Sequence, residues 1–143
     1  MDVLEQMQVK AWLSGARPEY EIAQLTNSVE RLREHRRFAQ SIGAGLKLDG
    51  VERYAALVKE YVGELEAHAA EVRAVIEAVP NEREKAVLIL RYCEGLTWER
   101  IADTMCYCTV NLHRIHRHAL ESVKSILDRM EPPPFESKEG ADK

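Results

Sequence analysis

The sequence predicts an all-α fold, in which a long N-terminal helical hairpin is followed by a three-helix helix-turn-helix domain. Apolar residues recur at steps of three and four, and the strict apolar/polar alternation of a half-buried strand is absent. Of the 143 residues 45% are hydrophobic and 31% are charged, with only 7 glycines and 5 prolines, which is typical of an ordered globular chain. We predict three regions along the chain: a helical hairpin over 1–80, a helix-turn-helix domain over 81–130 and a disordered tail over 131–143.

A short break separates the first two helices. Helix one is predicted over Val3–Leu13, and Pro18 marks the break because its fixed backbone dihedral discourages continuation of a helix. Helix two begins near Glu19 and has one apolar face, while the face opposite to it is charged. Its apolar positions repeat at steps of three and four: Ile22, Leu25, Val29, Leu32 and Ala39. We therefore expect one face of helix two to be buried against a neighbouring helix.

Helix three, predicted over about Val51–Val79, carries a coiled-coil pattern. The following positions keep that pattern: Val51, Tyr54, Val58, Tyr61, Leu65, His68, Val72, Val75 and Val79. A glycine-rich turn at Ser41–Gly50 connects helix three with helix two. The simplest arrangement is an antiparallel pair within one chain, but the same stripe fits a second copy equally well. We expect a homodimer, with residues 1–80 serving dimerisation or contact with a partner protein.

Three shorter helices are predicted after Pro80. Asn81 can cap the first of them, Thr97 can cap the second, and Gly95 suits the left-handed conformation that ends a helix. The three helices cover about Glu82–Glu94, the residues after Thr97 to about Met105, and Thr109 to about Met130. The connection Cys106-Tyr107-Cys108 joins the last two helices.

The last two helices have the spacing of a helix-turn-helix. Ala102 is small where the second of them crosses close to the first. The apolar wedge that sets the crossing angle consists of Ile101, Met105, Tyr107, Leu112 and Ile115. A rigid corner of this kind holds the N-terminal end of the last helix where it can enter a DNA major groove.

Candidate DNA contacts follow if Leu112, Ile115 and Ala119 face inward. They are Thr109, Val110, Asn111, His113, Arg114, His116, Arg117 and Lys124. Asn111 suits adenine and Arg114 suits guanine, since each side chain can form two hydrogen bonds with that base. The contacts farther along, at His116, Arg117 and Lys124, suit phosphates. The whole chain has a net charge of −4, but residues 81–130 carry +1, so we expect double-stranded DNA as the partner of this region.

Two runs in this region resemble region four of the sigma-70-class factors: Arg91–Ala102, which reads RYCEGLTWERIA, and His116–Leu120, which reads HRHAL. Together with the long helical part that ends at Val79-Pro80, they make the chain similar to phage and prophage transcription regulators of the ArpU/RinA type. The resemblance implies DNA binding at a phage promoter, activation of late genes and contact with bacterial RNA polymerase. The chain departs from the family at Cys106, where glycine is common, and at Cys108, where a serine helix cap is common.

Other function classes stay as alternatives or are excluded. The alternative is a helical adaptor that contacts RNA polymerase, a sigma factor or a phage packaging protein without binding DNA. A zinc site formed by Cys106, Cys108, His113 and His116 matches no zinc-finger spacing, so we expect no metal. The chain has no glycine-rich phosphate loop and no Ser/His/Asp arrangement, so we expect neither an enzyme nor a cofactor. It also has no membrane-spanning run and no basic, apolar signal segment, which predicts a cytoplasmic protein.

Overall fold

The structure is a computed structural model that describes residues 1–43 and 50–130. Within those residues the regular structure is helical and contains no strand, which confirms the predicted all-α class. The helices are α1 (Val3–Leu13), α2 (Glu19–Ser41), α3 (Gly50–Glu77), α4 (Glu82–Leu88), α5 (Trp98–Met105) and α6 (Thr109–Asp128). Most of the predicted turn at Ser41–Gly50 and the whole predicted tail over 131–143 lie outside the described residues. None of the described helices is long and apolar enough to cross a membrane.

Side chains fix the starts of α4 and α5 as predicted. The Asn81 side chain accepts hydrogen bonds from the backbone N–H groups of Arg83 and Glu84, at 3.0 and 3.1 Å. The Thr97 hydroxyl accepts a hydrogen bond from the backbone N–H of Arg100 at 3.3 Å. These bonds satisfy amides that have no partner inside their own helix, so both ends are defined by the local sequence.

The segment after α4 differs from the prediction. The sequence predicts one α-helix over Glu82–Glu94, whereas α4 ends at Leu88 and a π-helical segment, Ile89–Cys93, follows it. Within this segment the N–H of Glu94 donates to the carbonyl of Ile89, five residues earlier, at 2.9 Å. A π turn accommodates one residue more than an α turn, so it rotates the side chains that follow it. Gly95 then takes a left-handed conformation with a φ of 72°, as predicted.

The chain divides into two compact units. The first contains Met1–Ala16 together with the described residues from Ala70 onward, and the second contains the described residues within Arg17–Ala69. The sequence predicts a boundary at residue 80, but the boundary falls inside α3. The physical reason is that the last two turns of α3 and the residues just after them are apolar: Val72, Ile76 and Val79 are fully buried in the first unit.

In the first unit the core joins α1, the end of α3, α4 and α6. Its fully buried side chains include Val9, Leu13, Val72, Ile76, Val79, Leu88, Leu120, Val123 and Leu127. The guanidinium of Arg73 adds a polar link, because it donates to the carbonyl of Ala16 at 3.2 and 3.3 Å. This bond ties the segment that follows α1 to the end of α3.

In the second unit α2 and the first part of α3 run antiparallel. Tyr61 donates to Glu21 at 3.0 Å, and Arg33 donates to Glu52 at 3.2 and 3.3 Å, so positions later in α2 meet earlier positions in α3. The hydrogen bond from Arg33 lowers the pKa of Glu52. Tyr61 belongs to the predicted apolar stripe but is 43% exposed, because two helices cover only part of such a stripe.

Candidate nucleic-acid interface

The inward side of α6 is fixed by an apolar cluster. Leu112 is fully buried and Ile115 is almost so, and both pack with Ile101 of α5 and Val87 of α4. Partly buried side chains surround this cluster: Leu90, Leu96, Trp98, Ala102, Met105 and Tyr107. All five residues of the predicted wedge are therefore brought together. Because the inward side cannot rotate without breaking this packing, the outward side of α6 is also defined.

The connection between α5 and α6 contains a left-handed residue. Cys106 has φ and ψ angles of 58° and 41°, the conformation that glycine adopts most easily. A side chain at such a position costs roughly 1 kcal/mol of stability. Cys108 occupies the N-cap of α6, but its side chain makes no capping hydrogen bond. Cys106 thus lies at a conformationally demanding position, whereas Cys108 lies at a helix N-cap that its side chain leaves without a capping bond.

Five of the predicted contact residues form one exposed surface on α6. This surface, which we call the α6 outer face, consists of Thr109, Val110, His113, Arg114 and Arg117. Val110 is 80% exposed, so its methyl groups are open to a partner. No carboxylate lies between Thr109 and His118, and the first acidic residue of α6 is Glu121. The α6 outer face therefore presents guanidinium, imidazole, hydroxyl and methyl groups without a competing negative charge in the same turns.

Asn111 is half-buried and contacts a member of the α6 outer face. Its side-chain oxygen accepts a hydrogen bond from Nη2 of Arg114 at 2.6 Å. A bond between a charged donor and a neutral oxygen at this distance is strong for a surface contact. In this geometry Asn111 orients the guanidinium of Arg114, so one of the two lone pairs that its oxygen could offer to adenine is already occupied.

His116 lies in the interior rather than on the outward side where the sequence analysis places it. It is 4% exposed, and its Nε2 lies 2.9 Å from the Tyr92 hydroxyl of the π-helical segment. Burial lowers the pKa of His116 to about 4, so the ring is neutral at pH 7 and is not a phosphate contact. The sequence does contain the signal for this position, since His116 follows Leu112 by four residues and precedes Leu120 by four.

Trp98 links the α6 outer face to the buried histidine. Its ring lies 4.8 Å from the ring of His113 and 4.7 Å from the ring of His116, measured between centroids. The guanidinium of Arg91 lies over the same indole, at 4.7 Å from its centroid. The contacts of Trp98 and Arg91 were not predictable from the sequence, because contacts between separate helices leave no signal in local spacing. These contacts restrict the orientation of His113.

Lys124 lies outside the α6 outer face. Its side chain is only 26% exposed, and its Nζ lies 3.2 Å from both carboxylate oxygens of Asp128. This ion pair compensates the positive charge of Lys124, which is predicted from the sequence to contact a phosphate. Of the predicted phosphate contacts, Arg117 is therefore the one that is exposed and forms no ion pair within the described part of the chain.

The two cysteines of the connection are free thiols exposed at the surface. Within residues 1–43 and 50–130, no group of three or more His, Cys, Asp or Glu side chains is arranged to hold a metal ion. No family model matches the chain, and neither a curated protein nor a solved structure matches it. The functional interpretation therefore depends on geometry and charge.

Proposed function

We propose that this protein is a sequence-specific DNA-binding regulator of transcription that places α6 in the major groove. The observation that carries this proposal is the α6 outer face, an exposed helical surface with two arginines and no carboxylate. Its orientation is fixed because the inward side of α6 packs into an apolar cluster. The major groove of B-DNA is wide enough to admit an α-helix, and its base edges are read by side chains of these types.

Four of the five members of the α6 outer face have an assigned role in this proposal. Arg114 pairs with guanine through two hydrogen bonds, and Asn111 holds the guanidinium in position for that contact. Thr109 and Val110, at the start of α6, offer methyl groups to thymine. Arg117 contacts a phosphate, which fixes the position of the helix along the duplex.

The wider biological role is proposed from the resemblance of Arg91–Ala102 and His116–Leu120 to region four of sigma-70-class factors. In this proposal the protein belongs with the ArpU/RinA-type regulators and controls late phage genes in the cytoplasm of a bacterial host. It acts as a homodimer and contacts RNA polymerase, with the second unit supplying one of these protein contacts. The proposal includes no catalytic activity, metal or cofactor.

Selection of bound duplexes from a random pool tests DNA binding directly. The wild-type protein is expected to enrich one motif, and a dimer is expected to enrich an inverted repeat with half-sites about 10 base pairs apart. Arg114→Ala should lose about 1–3 kcal/mol of discrimination at one position of that motif. Arg31→Ala, which removes an exposed arginine from α2, is the matched control and should bind as the wild type does. The proposal fails if the wild-type protein enriches no motif.

The second candidate is a protein adaptor that does not bind DNA. The observation that favours it is the apolar surface of α1, where Val3, Leu4 and Met7 are 73%, 63% and 61% exposed. Exposed apolar surface of this kind is common at protein contacts. A partner protein that stays bound after nuclease treatment, together with no retention of any duplex at low salt, would favour this candidate.

A further inference from the structure

We infer that a concavity between α4 and α6 binds one phosphodiester group of the DNA backbone. This inference rests on the proposed function, because it names a second contact with the same duplex. The concavity has a volume of about 140 Å³ and is lined by Asn81, Arg83, Glu84, Arg114, Ile115 and His118. We call it the α4/α6 cleft. Its volume is well above the roughly 10–15 Å³ that a cavity needs to hold one water molecule, which leaves room for a small anionic group.

The α4/α6 cleft is rich in hydrogen-bond donors. Arg83 contributes a guanidinium group, whose planar N–H pair matches the oxygens of a phosphate. Arg114, whose guanidinium pairs with guanine in the proposed function, adds positive charge beside it. The oxygen of the Asn81 side chain already accepts two backbone N–H groups of α4, so the amide nitrogen is the end that points away from the helix. His118 adds an imidazole one turn after Arg114. Donors from two helices thus line one small space.

The acidic side chain of the α4/α6 cleft is already engaged. Glu84 accepts a hydrogen bond from the Ser122 hydroxyl of α6 at 2.5 Å, which also ties the two walls together. Two arginines and one carboxylate therefore line the cleft, and that carboxylate is held toward α6 by Ser122. The net charge of the lining favours an anion over a cation.

The position of the α4/α6 cleft identifies the anion as a DNA phosphate. Arg114 belongs both to the cleft and to the α6 outer face, so a ligand in the cleft lies directly beside a helix that occupies the groove. A major groove about 12 Å wide is bordered by phosphates on both sides of such a helix. The cleft contacts a phosphate of one of the two DNA strands that border the groove, while Arg117 and the base-reading residues lie on the rest of α6.

Arg83→Ala tests this inference, because Arg83 lies on α4 and has no place in the base-reading surface. We expect affinity for the selected duplex and for a random duplex to fall by the same factor, roughly five- to tenfold at 0.1 M salt. The slope of log affinity against log salt concentration should decrease by about one. Arg83→Lys should retain most of the slope, since it keeps the charge, and Arg31→Ala should change neither quantity.

The possible failures are distinguishable. If the wild-type protein selects a motif but Arg83→Ala leaves both affinity and salt slope unchanged, this inference is wrong and the proposed function stands. If Arg83→Ala changes the selected motif, Arg83 reads bases and the phosphate assignment is wrong. If the wild-type protein retains no duplex, the proposed function fails and the inference fails with it. The far-ultraviolet circular dichroism and thermal midpoint of each variant show whether a lost affinity comes from unfolding.

Discussion

Burial of His116 makes the stability of the first unit depend on pH. The pKa of His116 is lowered to about 4 in the folded chain, whereas an unfolded histidine has a pKa near 6.5. Above pH 6.5 the ring is neutral in both states and has no effect. As pH falls from 6.5 to 4 the unfolded chain binds a proton that the folded chain does not, so stability decreases. We expect His116 to remove roughly 3 kcal/mol from the free energy of unfolding over this range.

Chemical denaturation at several pH values isolates this effect when the wild type is compared with His116→Gln. Glutamine keeps a polar group facing Tyr92 but has no proton to gain, so the variant should lose less stability between pH 6.5 and 4. His118→Gln is the matched control, because His118 is exposed. Parallel pH profiles for the wild type and His116→Gln would show that the folded chain accommodates a charged ring at this position.

Replacement of Cys106 by glycine should stabilise the protein. The left-handed backbone at Cys106, with a φ of 58°, is strained for any residue with a side chain. Cys106→Gly is therefore expected to raise the free energy of unfolding by about 1 kcal/mol, measured by urea denaturation. Cys108→Gly is the control, because the φ of Cys108 is −74° and glycine only adds flexibility there. A gain from both substitutions would mean that the left-handed strain is not the cause.

The residues of the candidate site were only partly predictable from the sequence. Helical spacing alone identifies Thr109, Val110, His113, Arg114 and Arg117 as outward, since Leu112 and Ile115 define the inward side. The same spacing places His116 inward, but its polar identity favours the opposite assignment. The hydrogen bond that satisfies this imidazole joins it to the Tyr92 hydroxyl, and the pairing of residues on separate helices is not encoded in local periodicity.

The start of α6 differs from the starts of α4 and α5 in its N-cap. Asn81 and Thr97 cap α4 and α5 with side-chain oxygens, whereas Cys108 provides no such bond at the start of α6. Cys108→Ser adds an oxygen at the N-cap and should increase the free energy of unfolding by about 1 kcal/mol. Cys108→Ala removes the thiol without adding an acceptor, so it should show no gain in the same urea titration. Equal effects of the two substitutions would contradict a capping role.

The helices differ in how far their bounds follow from the sequence. Val3–Leu13 was predictable in full, because glycine and proline signals act over a few positions. The start of α6 at Thr109 follows from the helix-turn-helix spacing, since the connection Cys106–Cys108 contains no glycine, proline or capping side chain. The π-helical segment over Ile89–Cys93 was not predictable, since the residues Ile89–Cys93 are compatible with an ordinary α-helix. Its wider turn is decided by packing: Tyr92 and Cys93 both contact the core of the first unit.

The division of the chain depends on contacts between distant parts of the sequence. A change in periodicity at Pro80 suggests a boundary there, and α4 does begin just after it. However, the apolar residues of α1 and of the last turns of α3 complete the core that α6 needs. The change in periodicity at Pro80 therefore marks the end of a helix and not the edge of a compact unit. The compact unit also includes Met1–Ala16, from the other end of the sequence.

Leu13→Ala tests whether α1 stabilises the helices that follow residue 81. Leu13 is fully buried in the core that contains Leu120 and Leu127, so its truncation should cost about 2–5 kcal/mol. In a Trp12→Phe background Trp98 is the remaining tryptophan of two, and its fluorescence reports unfolding around α5 and α6. Leu4→Ala, at a side chain that is 63% exposed, should change this transition by less than about 0.5 kcal/mol. If residues 81–130 were instead a domain independent of α1, neither Leu13→Ala nor Leu4→Ala would change the Trp98 transition. The difference in unfolding free energy between the two variants therefore measures how strongly α1 stabilises the helices that carry the candidate DNA-binding surface.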